Sequence, residues 1–158
     1  MNNLIIFFIL IFFTSCSLEQ DTSTSLKLQS EIPISAIKES STYATIASKA
    51  ERMYTYRENN NTFSVMVDNK NLISFFKAIN PTFITPCGIK VGSTLSEVKK
   101  ISKKEPILMP GWGYFILLSS GWFAGLGIDN KIQTHGKLSS DAKVVFLFKS
   151  IYHLYWYE

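Results

Sequence analysis

The side chains of this sequence that are best suited to covalent or acid–base chemistry are those of two cysteines and two histidines. Cys87 lies in a Pro-Cys-Gly stretch, where a thiol would need a nearby base or cation to become a nucleophile. Neither His135 nor His153 stands in a recognisable catalytic pattern, and the two have no metal-ligand spacing with each other or with Cys87. We therefore expect Cys87 to be a small packed residue at a turn, and we predict no catalytic residue, no metal site and no cofactor.

Cys16 differs because an apolar segment precedes it. Leu4–Phe13 is an unbroken apolar run of ten residues, whereas a membrane-spanning helix needs roughly 20. The length is typical of a signal-peptide core, and the small residues Thr14 and Ser15 follow where a peptidase would need them. The sequence then changes abruptly to a polar, Ser/Thr-rich stretch. An N-terminal strand or helix with an incidental cysteine is the alternative.

The residues Phe13-Thr14-Ser15-Cys16 resemble the lipobox of bacterial lipoproteins, in which the cysteine thiol receives a diacylglycerol before the signal is removed. The resemblance implies a signal peptide over 1–15 and lipidation of Cys16, with acyl chains of the palmitate type. Two or more acyl chains give stable membrane anchoring. Ser17 resembles the residue that permits export, which implies an outer-membrane protein facing the periplasm. Secretion without lipid is the alternative that this motif leaves open.

Removal of the first 15 of the 158 residues leaves 143, which is enough for one domain with a substantial core. We predict a flexible tether over 16–31 and a single domain over 32–158. The net charge of +4 is modest and far from that of a nucleic-acid-binding protein, so we predict no nucleic-acid partner.

Two stretches of the domain are similar to each other, which suggests repeats over 33–80 and 85–152. Ile37–Lys49 can be aligned with Ile89–Ile101, and two shorter matches follow in the same order. The repeated unit would be a helix followed by strands and hairpin turns. This pattern predicts an α+β fold: a mostly antiparallel sheet with short helices on one face, and two tandem helix-plus-strands repeats as a further expectation.

The helix of the second repeat has a marked start. Thr94 and Glu97 have the spacing of a capping box, and apolar residues then recur every three positions. For the first repeat we expect a weaker helix over 41–53. The strands that follow it are separated by the turn-forming stretches Glu58–Thr62 and Asp68–Asn71, which predicts a meander.

Gly88-Ile89-Lys90-Val91-Gly92-Ser93-Thr94 resembles a Gly-Ile-x-x-Gly-x-Thr module of many bacterial lipoproteins. It is loosely similar to the helix start in the small outer-membrane lipoprotein of the β-barrel assembly machine, and to the tandem α+β units of secreted β-lactamase inhibitors. The resemblance implies a fold. It carries no catalytic group with it.

Two sets of residues are candidates for a binding surface. Aromatic side chains alternate with glycines that would let a ligand or another backbone approach closely. The aromatics could form a platform for a glycan or a partner protein, or fill the core between paired strands while the glycines relieve crowding. Clustered lysines could meet anionic headgroups, or simply be solvated on a helix face. The aromatic set is Trp112, Tyr114, Trp122 and Phe123, with Tyr155 and Trp156 near the C-terminus, and the basic set is Lys90, Lys99, Lys100, Lys103 and Lys104.

The function that these observations favour is non-catalytic. We predict a membrane-anchored lipoprotein of the bacterial envelope that acts as a binding or assembly module, with an envelope protein or a glycan as its partner. The alternative is an envelope hydrolase, or an inhibitor of an envelope or secreted enzyme. An enzyme should show convergent acids, bases or metal ligands, and no such group is evident.

Overall fold

The computed structural model describes residues 24–32, 37–46, 49–102 and 104–153. It contains one helix and nine strands within these ranges. In chain order they are β1 (Ile37–Ile46), β2 (Lys49–Glu58), β3 (Asn61–Val67), β4 (Ile73–Ala78), α1 (Leu95–Ile101), β5 (Ile107–Met109), β6 (Gly113–Leu117), β7 (Phe123–Ile128), β8 (Lys131–Ile132) and β9 (Lys143–Ser150).

The strands form one antiparallel sheet in the order β1-β2-β3-β4-β9-β7-β6-β5, with β8 paired to β7. The predicted meander is confirmed for β2, β3 and β4, which pair consecutively. The turn between β2 and β3 has Asn59 and Asn60 at positive φ, a conformation that asparagine tolerates better than most residues and that tight hairpins require. The last strand, β9, lies in the centre of the sheet between β4 and β7.

The predicted α+β class is wrong. In the part of the chain that the structure describes, α1 is the single helix and has only seven residues. The helix expected over 41–53 is replaced by β1 and β2, which form an antiparallel hairpin. The reason lies in the residue types, since Thr42, Tyr43 and Thr45 are β-branched or aromatic and favour strands over helices. The helix-plus-strands unit is therefore not repeated.

The two halves of the chain nevertheless meet in related segments. Phe75–Ile79 and Leu147–Ile151, which match in sequence, lie mostly in β4 and β9, and these strands pair with each other. Phe76 is opposite Lys149, and Lys77 is opposite Phe148. The sequence match aligns Phe76 with Phe148 and Lys77 with Lys149. A local two-fold rotation that exchanges the aligned residues therefore converts one cross-strand pair into the other. Duplication of the stretches 33–80 and 85–152 stays a prediction.

Apolar side chains fill both faces of the sheet, as alternation along the strands requires. On the first face, Phe63, Val65, Val67 and Phe76 pack with Val98 of α1 in the larger cluster. The second face has a smaller cluster of buried residues. Its members are Met66, Phe75, Met109, Phe115, Phe123 and Phe148.

The segment 24–32 packs on the first face, although 24–31 was predicted to be tether. Leu26 is 4% exposed and belongs to the larger cluster. The backbone N–H groups of Gln29 and Ile73 donate to the carbonyls of Ile73 and Ser30, respectively. The packed chain therefore begins at or before Thr24, the first described residue.

The capping box of α1 is confirmed. Thr94 Oγ1 accepts from the N–H of Glu97 at 3.2 Å, and the Glu97 carboxylate accepts from the N–H of Thr94 at 2.6 Å. The Glu97 carboxylate also accepts from the Thr94 hydroxyl at 3.0 Å. The bonds that it accepts, first from the Thr94 backbone and then from the hydroxyl, lower the pKa of Glu97. The start of the helix is thereby fixed, with Val98 buried beneath it.

Candidate functional site

Two of the aromatic residues predicted to form a binding surface are core residues. Trp122 is fully buried on the first face, with its ring centroid 4.7 Å from that of Phe83. Phe123 is fully buried on the second face, stacked 5.1 Å from Phe148. As neighbours at the start of β7 they point to opposite faces. They therefore form no exposed platform. The alternative prediction, that these aromatics fill the core between paired strands, is confirmed for Trp122 and Phe123.

The other two described aromatics are half-buried. Trp112, in the β5–β6 turn, packs over the second face with its ring 6.3 Å from Phe75 and 4.9 Å from His153. The Tyr114 hydroxyl donates to the carbonyl of Gly136 at 2.6 Å. Tyr155 and Trp156 lie outside the described residues.

The glycines near these aromatics do allow a close approach, but the atoms that come close belong to another part of the same chain. A Cβ at Gly127 would lie 1.8 Å from the carbonyl oxygen of Lys131, and one at Gly113 would lie 2.5 Å from the side chain of Ile132. Both contacts are with β8. The predicted close backbone is therefore the β7–β8 hairpin.

A buried polar cluster on the second face had no sequence signal. Glu51 is 4% exposed, and its carboxyl group accepts hydrogen bonds from the hydroxyls of Ser74 and Tyr152. Burial, and then the bond to Glu51, raise the pKa of Tyr152 to about 12. A glutamate within an alternating strand pattern ordinarily faces solvent, so composition alone could not reveal this group.

His153 lies next to this cluster in an aromatic surrounding. It is 2% exposed, and its ring lies 4.9 Å from those of Trp112 and Phe148, with Phe115 and Phe123 slightly farther away. Burial lowers the pKa of His153 to about 4. The imidazole is therefore neutral near pH 7.

Ser150 and His153 are arranged like a nucleophile and its base, because the imidazole lies within hydrogen-bond distance of the hydroxyl. His153 Nδ1 lies 2.9 Å from Ser150 Oγ. However, Ser150 is fully buried and its Oγ also accepts from the N–H of Tyr152. The other imidazole nitrogen, Nε2, is buried without a hydrogen-bond partner in the described structure. A serine that no substrate can reach cannot act as a nucleophile, and this geometry suits a structural bond.

Cys87 is half-buried in the turn between β4 and α1, with Sγ 3.1 Å from Ser119 Oγ. It is disulfide-bonded in the structure, and its partner is not among the described residues. His135 is exposed, with Nδ1 3.1 Å from the hydroxyl of Thr134. Within the described ranges no three His, Cys, Asp or Glu side chains are grouped so as to hold a metal ion.

The predicted basic set lies around α1. Lys90, Lys99, Lys100 and Lys104 are all exposed, while Lys103 lies outside the described residues. Lys99 forms an ion pair with Glu105 at 2.7 Å. An open groove of about 430 Å³ lies beside the helix. Its lining consists of Leu95, Ser96, Lys99, Lys100 and Ser140.

The carboxylate of Glu58 holds the start of the described chain against the sheet. It accepts from the Thr24 hydroxyl and from the Ser25 N–H, each at 2.7 Å. Burial would raise the pKa of Glu58, but the hydrogen bonds from Ser25, Thr24 and Tyr56 more than offset it, and the pKa lies below its usual value. Thr24, the first described residue, is thereby held near the β2–β3 turn.

Comparisons with known proteins give a fold and no activity. No protein-family model matches the sequence, and no curated protein matches it. Among solved structures, the chain is similar to the uncharacterized protein YfeY from Escherichia coli, with a TM-score of 0.51 and 13% identity over 69% of this chain and 78% of that one. At this identity the likeness concerns the fold alone. No helix in the described part of the chain is long and apolar enough to cross a membrane.

Proposed function

We propose that this chain is a lipoprotein held in a bacterial envelope membrane by acyl chains on Cys16, and that its domain is a non-catalytic binding or assembly module. The observation that carries the proposal is the sequence Phe13-Thr14-Ser15-Cys16 directly after ten apolar residues. Ser17 favours the outer membrane, with the domain facing the periplasm. The partner would be another envelope protein or a glycan.

The start of the packed chain supports anchoring at Cys16. Eight residue steps separate Cys16 from Thr24, the first described residue, and an extended chain covers at most about 28 Å over eight steps. A lipid on Cys16 would therefore keep the domain close to the membrane surface.

The disulfide at Cys87 in this structure opposes this proposal, which requires Cys87 to be a free thiol in the membrane-bound protein. The sequence has two cysteines, so a disulfide within one chain would use Cys16. A sulfur in a disulfide cannot also carry the thioether of a lipid. Lipidation and an intramolecular disulfide are thus mutually exclusive fates of Cys16, and an experiment can distinguish them.

The non-catalytic part of the proposal is supported by the second face. Ser150 and His153 are the described pair most similar to a nucleophile and its base, and both are buried. A hydrolase would need these atoms, or others, to reach solvent. If the alternative of an envelope hydrolase were correct, the purified wild-type protein would cleave an envelope substrate.

Metabolic labelling tests the anchor. Cells that express the chain are grown with a labelled fatty acid, and the wild type is compared with Cys16→Ser and with Cys87→Ser as the matched control. We expect label on the wild type and on Cys87→Ser, and none on Cys16→Ser. Absence of label from all three proteins, or its presence on Cys16→Ser, would contradict the proposal.

A further inference from the structure

The charge of this chain is concentrated around one element. The stretch 90–105 has five lysines and two glutamates, a net +3 out of +4 for the whole sequence. Of its four described lysines, Lys99 pairs with Glu105, while Lys90, Lys100 and Lys104 make no ion pair within the described structure. Lys143 is exposed and its backbone pairs with Thr94 in an isolated bridge, and the exposed acid Asp141 lies two residues before it.

These lysines and the N-terminal chain lie on the same side of the sheet. Val98 of α1 and Leu26 belong to the same apolar cluster on the first face. Leu95 N–H donates to the carbonyl of Ala142, just before β9, and the hydroxyl of Ser102 donates to the carbonyl of Leu117 in β6. Helix α1 therefore crosses the first face from the start of β9 to the end of β6.

The reach of the tether matches this arrangement. Thr24 is fixed at Glu58, at the end of β2, and β2 is three strands away from β9 in the sheet. At about 4.8 Å per strand this is a lateral distance of about 14 Å, and β6, at the other end of α1, is five strands or about 24 Å away. Both distances are within the length of about 28 Å that the residues from Cys16 to Thr24 can span. A membrane that holds Cys16 can thus also touch the outer side of α1.

We propose that the face formed by Lys90, Lys99, Lys100 and Lys104 binds the anionic phospholipid headgroups of the membrane that anchors the chain, so that α1 lies against the bilayer. The inference rests on the proposed lipid anchor. Tethering keeps the effective concentration of headgroups high, so a few lysines are enough to orient the domain. The second face would then point away from the membrane, towards a partner.

Chemical acetylation followed by mass spectrometry tests this orientation, since it measures the reactivity of each lysine. Lipidated protein is placed in vesicles of phosphatidylcholine alone, or of phosphatidylcholine with phosphatidylglycerol. We expect Lys100 and Lys104 to react about fivefold more slowly on the anionic vesicles. The protection should disappear at about 0.5 M salt, which screens surface charges. Lys70, exposed in the β3–β4 turn, should react equally in both vesicles.

The outcomes separate this inference from the anchor. Protein retained by both vesicles but with equal reactivity at Lys100 and Lys104 would overturn the orientation and leave the anchor standing. Protein that neutral vesicles do not retain would overturn both. The double variant Lys100→Glu, Lys104→Glu should remain anchored but lose the difference between vesicles at Lys99. In the control Lys70→Glu, Lys99 should still react more slowly on anionic than on neutral vesicles. Equal reactivity of Lys99 on the two vesicles in this control would also overturn the inference.

Discussion

Glu51 and His153 are two ionisable residues that lie almost fully buried on the second face, in different surroundings. Glu51 has two hydroxyl donors, from Ser74 and Tyr152. His153 has one hydrogen-bonding neighbour, Ser150, and otherwise aromatic rings. Protonation of this imidazole would place a charge among the rings, so His153 makes stability depend on pH.

The direction of this dependence follows from the pKa of His153, which is about 4 in the folded chain, below the ordinary histidine value of 6.5. The unfolded chain binds the proton more tightly, so the stabilising effect of the neutral imidazole is complete above pH 6.5 and is lost as the pH falls toward 4. The loss amounts to at most about 3 kcal/mol. In the variant His153→Phe, the free energy of unfolding should fall less between pH 6.5 and 4 than in the wild type. Urea unfolding between pH 4 and 8 measures this.

The exposed histidine provides the control for this measurement. His135→Gln removes the other histidine, which is exposed, and its pH profile is compared with that of His153→Phe. A His153→Phe protein that loses as much stability between pH 6.5 and 4 as the wild type would show that another group carries the dependence.

Loss of a hydrogen bond to Glu51 should be costlier than loss of one to an exposed loop. Tyr152→Phe leaves a buried carboxyl oxygen without its donor, at a cost of about 1–3 kcal/mol. Tyr114→Phe removes a bond to the carbonyl of Gly136, which water can replace, and should cost less than about 1 kcal/mol. Urea unfolding of both variants at pH 7 measures the difference. Equal costs would contradict the structural importance of the buried cluster.

At the scale of elements, α1 depends on its capping box. Thr94→Ala removes the acceptor for the Glu97 N–H and should lower the free energy of unfolding by about 0.5–2 kcal/mol. Ser96→Ala, an exposed change within the first turn of the same helix, should be close to neutral or slightly stabilising. Chemical denaturation of both proteins distinguishes them, and a Thr94→Ala protein as stable as Ser96→Ala would mean that the cap does not matter.

The segment 24–32 is a second element whose role can be measured. Leu26→Ala should cost about 2–4 kcal/mol, because the side chain is almost fully buried in the larger cluster. Lys27→Ala, at the next and exposed position, should change stability by less than about 0.5 kcal/mol. If both variants unfold like the wild type, the segment is a tether, as the sequence suggested.

At the scale of the whole molecule, the sequence predicted the local elements with strong signals. The capping box of α1 and the β2–β3–β4 meander are both present, because side-chain spacing and turn residues determine them locally. The helix over 41–53 was wrong because it was predicted from the similarity to Ile89–Ile101, whereas Thr42, Tyr43 and Thr45 favour a strand. Trp122 and Phe123 show the remaining difficulty: adjacent aromatics indicate burial or binding equally well until it is known that both faces of the sheet are covered.

The position of β9 could not be inferred from its residues. Nothing in the residues of Lys143–Ser150 indicates that this strand pairs with both β4 and β7. The pairing with β4 joins residues about 70 positions apart in sequence, for which local propensity carries no information.

The central claim, a lipid on Cys16, is tested most directly by mass spectrometry of the mature protein, extracted from membranes and digested without a reducing agent. We predict an N-terminal peptide that begins at Cys16 and carries the mass of a diacylglyceryl group, together with a Cys87 peptide of its own. A peptide that joins Cys16 to Cys87 through a disulfide, or one in which residues 1–15 remain attached to an unmodified Cys16, would contradict the account.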